Sequence, residues 1–377
     1  MSQHIVIDGR NRRSSTGRYT DRLVTHLQTI DTTNRYTILV QPDDNWPMTS
    51  PNFTTLPCPF PQFSFNPTDQ IRFARQLYRL KPDLVHFTMT QQPLLYFGKI
   101  VTTTHDLTMF KFVRRGSTPK PLFWLKMELY HFLMWWSHRK SNRIIVPTNT
   151  TAREVGDFQP FTKKRLVVTY EASEPPLKKL VKPEGVSGDF IMCLGTAFPH
   201  KNLATMIEAF DLLHATHPSL KLYLVGKTEK HYEELQELAK RHPSYDHIVF
   251  TGFLPDEQAG WLYSHCRAYV LTSLSEGWGL PPLEAMTYGA PVVCGKVSVM
   301  PEVNGDAAYY FDPHSPADVA TKVGHILDDN GLREKHIKAG LKQVKKYSWR
   351  QMAEQTFAVY LDVLAPSTHT KEPDFNE

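Results

Sequence analysis

The chain has 377 residues, of which 43 are Lys or Arg and 38 are Asp or Glu, a net charge of +5. At 41% hydrophobic and 21% charged it can bury a large core, which excludes wholesale disorder, and its length suits two or three domains. So mild a basic excess offers no broad cationic face for nucleic acid, and 28 prolines disfavour a long coiled coil.

The N-terminus opens on a short strand, His4–Ile7, without the basic and apolar regions of a secretory leader. Strand-like runs follow at Tyr36–Val40, Asp83–Phe87, Ile100–Thr104, Arg143–Pro147 and Arg165–Thr169. Helical patterns fall between them at Gly17–Ile30, Thr68–Leu80 and Pro121–His138, while Asn45–Phe65 reads as loop. The polar stretch Glu171–Gly188 separates this block from a second. There the strands are expected at Phe190–Gly195, 221–226, 247–252, 268–273 and 290–295. Their helices lie near Asn202–His214, Lys230–Arg241, Asp256–Tyr263 and Pro282–Tyr288, and the last helices run from about Ser315 to Leu364.

Short apolar strands alternating with helices predict an α/β fold of two doubly wound, Rossmann-like domains facing a cleft. The expected units are 1–172, 173–346, a terminal helix at 347–364 and a disordered tail at 365–377. Cys58, Cys193, Cys266 and Cys294 lie far apart, which suits buried thiols in a reducing compartment better than disulfides or zinc. No run approaches the roughly 18 apolar residues of a spanning helix, so the expected location is cytoplasmic, or peripheral at the inner face of a membrane.

Ligands in such folds bind beyond the carboxyl ends of the strands. The most informative segment there is SEGWGLPPLEAM, Ser275–Met286, directly after the strand AYVLTS. Gly277 and Gly279 let a ligand approach the main chain, and Pro281 or Pro282 suits the first turn of a helix. The unpaired N–H groups of that turn, around Gly279 and Leu280, make an anion site. Glu276 and Glu284 would flank it and suit hydroxyl-rich ligands such as ribose or a hexose.

This string resembles the signature of retaining GT-B glycosyltransferases of glycosyltransferase family 4. The similarity extends through DGRNRRSSTGRYTDRL (8–23), THDL (104–107), GTAFPHKN (195–202), VFTGFLPDEQ (249–258), PEVNGDAAYYFDP (301–313) and YSWRQMAEQTFAVY (347–360). It implies a nucleotide-sugar donor held mainly by the second domain and an acceptor held mainly by the first. It also implies that the terminal helix crosses back onto the first domain.

By the same resemblance Lys201 contacts the donor diphosphate, a charge-assisted contact contributing roughly 1.5–3 kcal/mol. Thr196 and His200 stand in that turn where many relatives carry an arginine, so Arg18 is a second candidate cation. The Gly17 backbone falls beside donor phosphates and acceptor, His105 near the reaction centre, and Asp106 orients its loop. Arg18 and Asp106 are also the acceptor-side candidates. Gly252 and Phe253 belong to a stretch, Thr251–Leu254, whose base-reading contacts are largely main chain.

No Asp-x-Asp occurs, and no metal or other cofactor is expected. The stretch 111–143 interleaves Lys111, Arg114, Arg115, Lys120, Lys126, Arg139, Lys140 and Arg143 with Phe123, Trp124, Tyr130, Phe132, Trp135 and Trp136, against the single acid Glu128. It reads either as a helix on an anionic membrane surface or as a domain helix with its aromatics packed inward.

The expected activity is metal-independent transfer of a hexose, with retention, to a glycan or lipid-linked hydroxyl in cell-surface polysaccharide or glycolipid synthesis. Catalysis would rest on Lys201, Glu276 and His105, and donor binding on Gly17, Thr196, Lys201, Gly252, Phe253, Gly277, Gly279, Leu280 and Glu284. The run SVMPEVNGDAAYYFDP tilts the donor toward GDP-mannose, with UDP-glucose open. A nucleotide-sugar epimerase and a catalytically silent glycan- or membrane-binding protein are the rival readings.

Overall fold

The computed structural model describes residues 2–14, 16–61, 64, 66–112 and 119–365. The chain begins β1 (His4–Asp8), α1 (Gly17–Ile30), β2 (Arg35–Val40), β3 (Phe53–Pro57), α2 (Pro67–Leu80), β4 (Leu84–Phe87), β5 (Ile100–Thr103). It continues with α3 (Thr108–Lys111), α4 (Lys120–Lys140), β6 (Arg143–Val146), α5 (Asn149–Phe158) and β7 (Leu166–Val168). The second half opens β8 (Phe190–Leu194), α6 (Leu203–Thr216), β9 (Lys221–Val225), α7 (Lys230–Ala239), β10 (Ile248–Gly252), α8 (Asp256–His265), β11 (Ala268–Leu271). It closes with α9 (Leu280–Thr287), β12 (Val292–Gly295), α10 (Met300–Asn304), β13 (Tyr309–Phe311), α11 (Pro316–Asp328), α12 (Asn330–Gln343) and α13 (Trp349–Leu364).

These strands form two parallel sheets, ordered β3-β2-β1-β4-β5-β6-β7 and β10-β9-β8-β11-β12-β13. Helices cover both faces, which is why strands such as β1, β4 and β5 are buried at every position and carry little polar alternation. The strand order reverses between β1 and β4 in one sheet and between β8 and β11 in the other. Loops leaving such neighbours run to opposite faces and open a crevice between them. Each sheet therefore has one crevice at its carboxyl edge.

The terminal helix α13 belongs to the first sheet. Its buried stripe, Trp349, Met352, Ala353, Thr356, Val359, Tyr360 and Val363, has helical spacing. It packs against the stripe of α1 (Tyr19, Leu23, Val24, Leu27) in one core with Ile5, Ile7 and Ile145. The Tyr360 hydroxyl reaches His86 Nδ1 at 2.6 Å, and His86 Nε2 meets Thr103 Oγ1 at 2.8 Å. That histidine is wholly buried; desolvation, with a smaller contribution from His105, pulls its pKa down to about 3.

The pattern of the sequence misses five elements, the short helices α3 and α10 and the three that follow here. Strand β3, inside the stretch read as loop, is an edge strand whose Thr54 and Thr55 face solvent, so it has no apolar run. Strand β13 is too short to stand out. Helix α5 carries two threonines in its first turn and a glycine, weak helix formers, and is started by Thr148, whose side chain accepts the Thr151 N–H at 2.8 Å. Residues 113–118 of the basic stretch, and 366–377 of the expected tail, lie outside the described residues. All four cysteines are buried and free.

Candidate active site

The crevice of the second sheet is built by the loops after β8 and β11. After β8 the chain passes Gly195 and makes a 3-10 turn, Pro199–Lys201, that ends at Asn202 in the left-handed region (φ 55°). The Thr272 hydroxyl donates to the Lys201 carbonyl at 3.0 Å, and the Leu274 N–H donates to the His200 carbonyl at 2.8 Å. The two loops are thus tied along their main chains, and the Lys201 ammonium meets Glu276 Oε1 at 2.6 Å. Both side chains are largely buried, 16% and 11% exposed. Thr196 lines the same hollow as Lys201, Thr272 and Tyr232.

Gly279 sits at φ 86°, a conformation that L side chains rarely adopt, and a Cβ there would lie 2.3 Å from Met300 Cε. It starts α9, with Leu280 first and Pro281 second, so the proline costs no hydrogen bond. Glu284, on the first full turn of α9, pairs with the Arg18 guanidinium, and its other oxygen accepts Tyr263 OH at 3.3 Å. Arg18, an acceptor-side candidate by sequence, is therefore engaged across the cleft by Glu284 of the second half. Gly17 is pressed on the preceding turn: a Cβ would fall 1.8 Å from the Arg12 carbonyl oxygen.

The two halves meet at Gly277. A Cβ there would lie 2.7 Å from the His105 carbonyl oxygen and 3.0 Å from Asp106 Oδ2. Nearby, Thr108 Oγ1 and Ser275 Oγ are 3.3 Å apart, and Leu280 packs against the cores of both sheets. His105 follows β5; its Nε2 lies 3.0 Å from the Thr88 carbonyl and its Nδ1 3.4 Å from Glu171 Oε1. Asp106 Oδ1 accepts the Thr108 N–H at 2.7 Å, just ahead of α3. Gly252 (φ 71°) donates its N–H to Tyr232 OH at 3.0 Å, and Phe253 is exposed beyond it, two strands from β8.

Two acidic residues that sequence reasoning passed over are placed here. Glu171, at the start of the polar stretch, is buried beside His105. Glu302 reaches from α10 to the N-terminus of α5, where its carboxylate accepts the Asn149 and Thr150 N–H groups at 2.7 Å each and Tyr170 OH at 2.9 Å. Burial opposes its ionisation, but these hydrogen bonds outweigh burial and hold the carboxyl below its usual range. The only signal for Glu302 was its place in PEVNGDAA; for Glu171 there was none. Among the described residues no group of three or more His, Cys, Asp or Glu side chains is arranged to hold a metal.

Comparison with known proteins accounts for both halves. Residues 17–172 match the family described as Glycosyltransferase Family 4, and residues 178–343 match Glycosyl transferases group 1. The chain belongs to these glycosyltransferases. It is similar to the O-antigen chain mannosyltransferase B of Escherichia coli, 36% identical over 172 residues, which is 45% of each chain. The match thus spans under half of that relative's length. Its fold is that of sucrose-phosphate synthase from Thermosynechococcus elongatus (TM-score 0.76, 16% identity, 96% and 99% of the two chains). It is equally that of Anabaena Alr3699/HepE, solved in complex with UDP-glucose (TM-score 0.72, 14% identity, 96% and 100%).

Proposed function

We propose that this family 4 chain transfers a hexose from a nucleoside diphosphate sugar to a hydroxyl of a growing glycan or lipid-linked acceptor, retaining anomeric configuration and needing no metal. The observation that carries the reading is the convergence of Lys201 and Glu276 at the mouth of the crevice beside the start of α9. In this reading the diphosphate displaces Glu276 from Lys201, and the ammonium with the Gly279 and Leu280 amides stabilises charge growing on the leaving group, usually the largest catalytic contribution. Glu276, once released, binds sugar hydroxyls, Glu284 takes the ribose hydroxyls, and His105 contacts the sugar from the other half. No carboxylate is assigned as a covalent nucleophile, so front-face substitution with the leaving phosphate as base is the preferred route.

Similarity to an O-antigen chain mannosyltransferase supports mannose as the transferred sugar; the donor read from the sequence is GDP-mannose, with UDP-glucose as the alternative. Thermal shift with GDP, UDP and ADP identifies the base, since a ligand of the native state raises the melting temperature. Incubation with labelled GDP-mannose, with and without a mannan acceptor, then tests the reaction. Isomerised sugar nucleotide without acceptor would point instead to an epimerase, and no turnover to a silent binding protein.

Membrane contact is a second element of the proposal. Helix α4 leaves Leu122, Trp124, Leu125, Phe132 and Trp135 exposed, flanked by Lys120, Lys126 and Arg139, while Phe123, Met127 and Met134 pack inward. The exposed residues support the membrane reading, and the buried ones pack as in an ordinary domain helix. No helix among the described residues is long and apolar enough to cross a membrane.

A further inference from the structure

Five arginines lie between Asp8 and Leu23, and Arg18 differs from the rest in where its charge goes. Arg10 pairs with Asp8, Arg12 with Asp21 and Asp44, Arg13 with Asp43 and Asp44, and Arg22 with Asp21 and Glu174. Those acids belong to the first half or to the stretch that leaves it. Among the described residues, Arg18 is the one of the five that pairs with the second half, where Glu284 of α9 takes its guanidinium.

This placement runs against the preference of the helix that carries it. Arg18 is the second residue of α1, whose first turn holds no acid and whose N-cap, Thr16, makes no side-chain cap. The start of a helix is its positive end, which favours anions and disfavours basic side chains. The compensating charge comes from 266 residues away, and the pair is open to exchange, since its side chains are 36% and 17% exposed. Glu284 itself is steadied independently of Arg18. Its other oxygen accepts the buried Tyr263 hydroxyl, which burial, and next the Glu284 charge, keeps protonated.

The pair also stands close to the anion site at the start of α9. Glu284 lies four residues after Leu280, about 6 Å along the helix axis. A released guanidinium can cover one helical turn by rotating about its side-chain bonds. The mouth of the crevice thus holds two cation–carboxylate pairs, Lys201 with Glu276 and Arg18 with Glu284. A ligand whose hydroxyls flank a diphosphate offers a new partner to all four groups. A nucleoside offers hydroxyls to Glu284 but no anion to Arg18, and an unpaired charge selects against it.

We infer that Arg18 is a diphosphate-binding residue held on Glu284 until donor arrives, and that this exchange makes the site discriminate nucleoside diphosphates from nucleosides. The inference rests on the transferase reading above and adds to it a first-half side chain that touches donor phosphate.

Isothermal titration of the full chain with GDP, and ligand-observed NMR with guanosine, test it, with UDP and uridine and ADP and adenosine in parallel. Arg18→Gln should weaken the diphosphate about tenfold, the loss of one charge-assisted hydrogen bond. The same variant should tighten the nucleoside about threefold, because Glu284 is no longer taken. Arg18→Lys keeps a point charge and should hold the diphosphate within about threefold of wild type. Thermal melting checks that the variants fold. A residue that merely braces the cleft would move both ligands in one direction. Such parallel shifts, a nucleoside no better bound by Arg18→Gln, or diphosphate affinity unchanged there while Lys201→Ala loses it, overturn the inference and leave the transferase reading standing. Wild-type protein that binds none of the three diphosphates removes that reading, and the inference with it.

Discussion

Lys201 and Glu276, 75 residues apart in the chain, hold one another at 2.6 Å where the loops of β8 and β11 are tied together. On the proposed reading this pair exchanges partners when donor arrives. Lys201→Ala should lower kcat/KM about 10²–10³-fold, the range seen when one donor to a developing anion is removed. Initial-rate kinetics at varied donor concentration decide it; unchanged transfer would take Lys201 out of the site.

Gly277 tolerates no side chain where the halves meet, since a Cβ would press on the His105 carbonyl at 2.7 Å. Gly277→Ala should hold the cleft ajar and lower transfer at least tenfold, because misplacement of about 1 Å can cost 10²-fold. The melting temperature should move little. Wild-type rates in this variant would show that the contact does not belong to the active form.

Glu302 caps α5 from the opposite half. Glu302→Gln loses charge at a helix N-terminus and one acceptor oxygen, a loss of about 1–2 kcal/mol. Urea unfolding should register it as a lower midpoint, and proteolysis near 149–170 should quicken. Equal midpoints would mean that the halves are held without this cap.

Acid should destabilise the protein well before most carboxylates titrate. Desolvation pulls His86 to about 3 and, with Arg165 assisting and Gln159 opposing, His138 to about 4. Unfolded histidines bind protons below about pH 6.5, so stability is full above that pH and falls as pH drops toward 3–4. Each contributes a slope of about 1.4 kcal/mol per pH unit in that window. Melting curves from pH 7 to pH 4 should show the decline, with a shallower slope in His138→Gln; parallel slopes would refute its part.

The exposed apolar residues of α4 set a last expectation. Sedimentation with anionic phosphatidylglycerol vesicles should carry wild-type protein down, and Trp124→Ser with Leu125→Ser should release it several-fold. Co-sedimentation that ignores both substitutions, or fails for wild type, would leave α4 as an ordinary domain helix.

Much of this protein is legible in one dimension. Strand–helix alternation determines two parallel α/β sheets, because a strand buried on both faces must be apolar throughout and a crossover needs a helix. The SEGWGLPPLEAM and GTAFPHKN segments mark the second crevice, since left-handed turns at helix starts restrict residue choice locally. What the chain alone could not decide are pairings between remote side chains whose local surroundings are ordinary. Arg18 on Glu284, Glu171 beside His105 and Glu302 on α5 all depend on how strands separated in sequence are ordered and where α13 returns. Neighbouring residues constrain a turn, but only the packed sheets bring such groups within hydrogen-bonding reach.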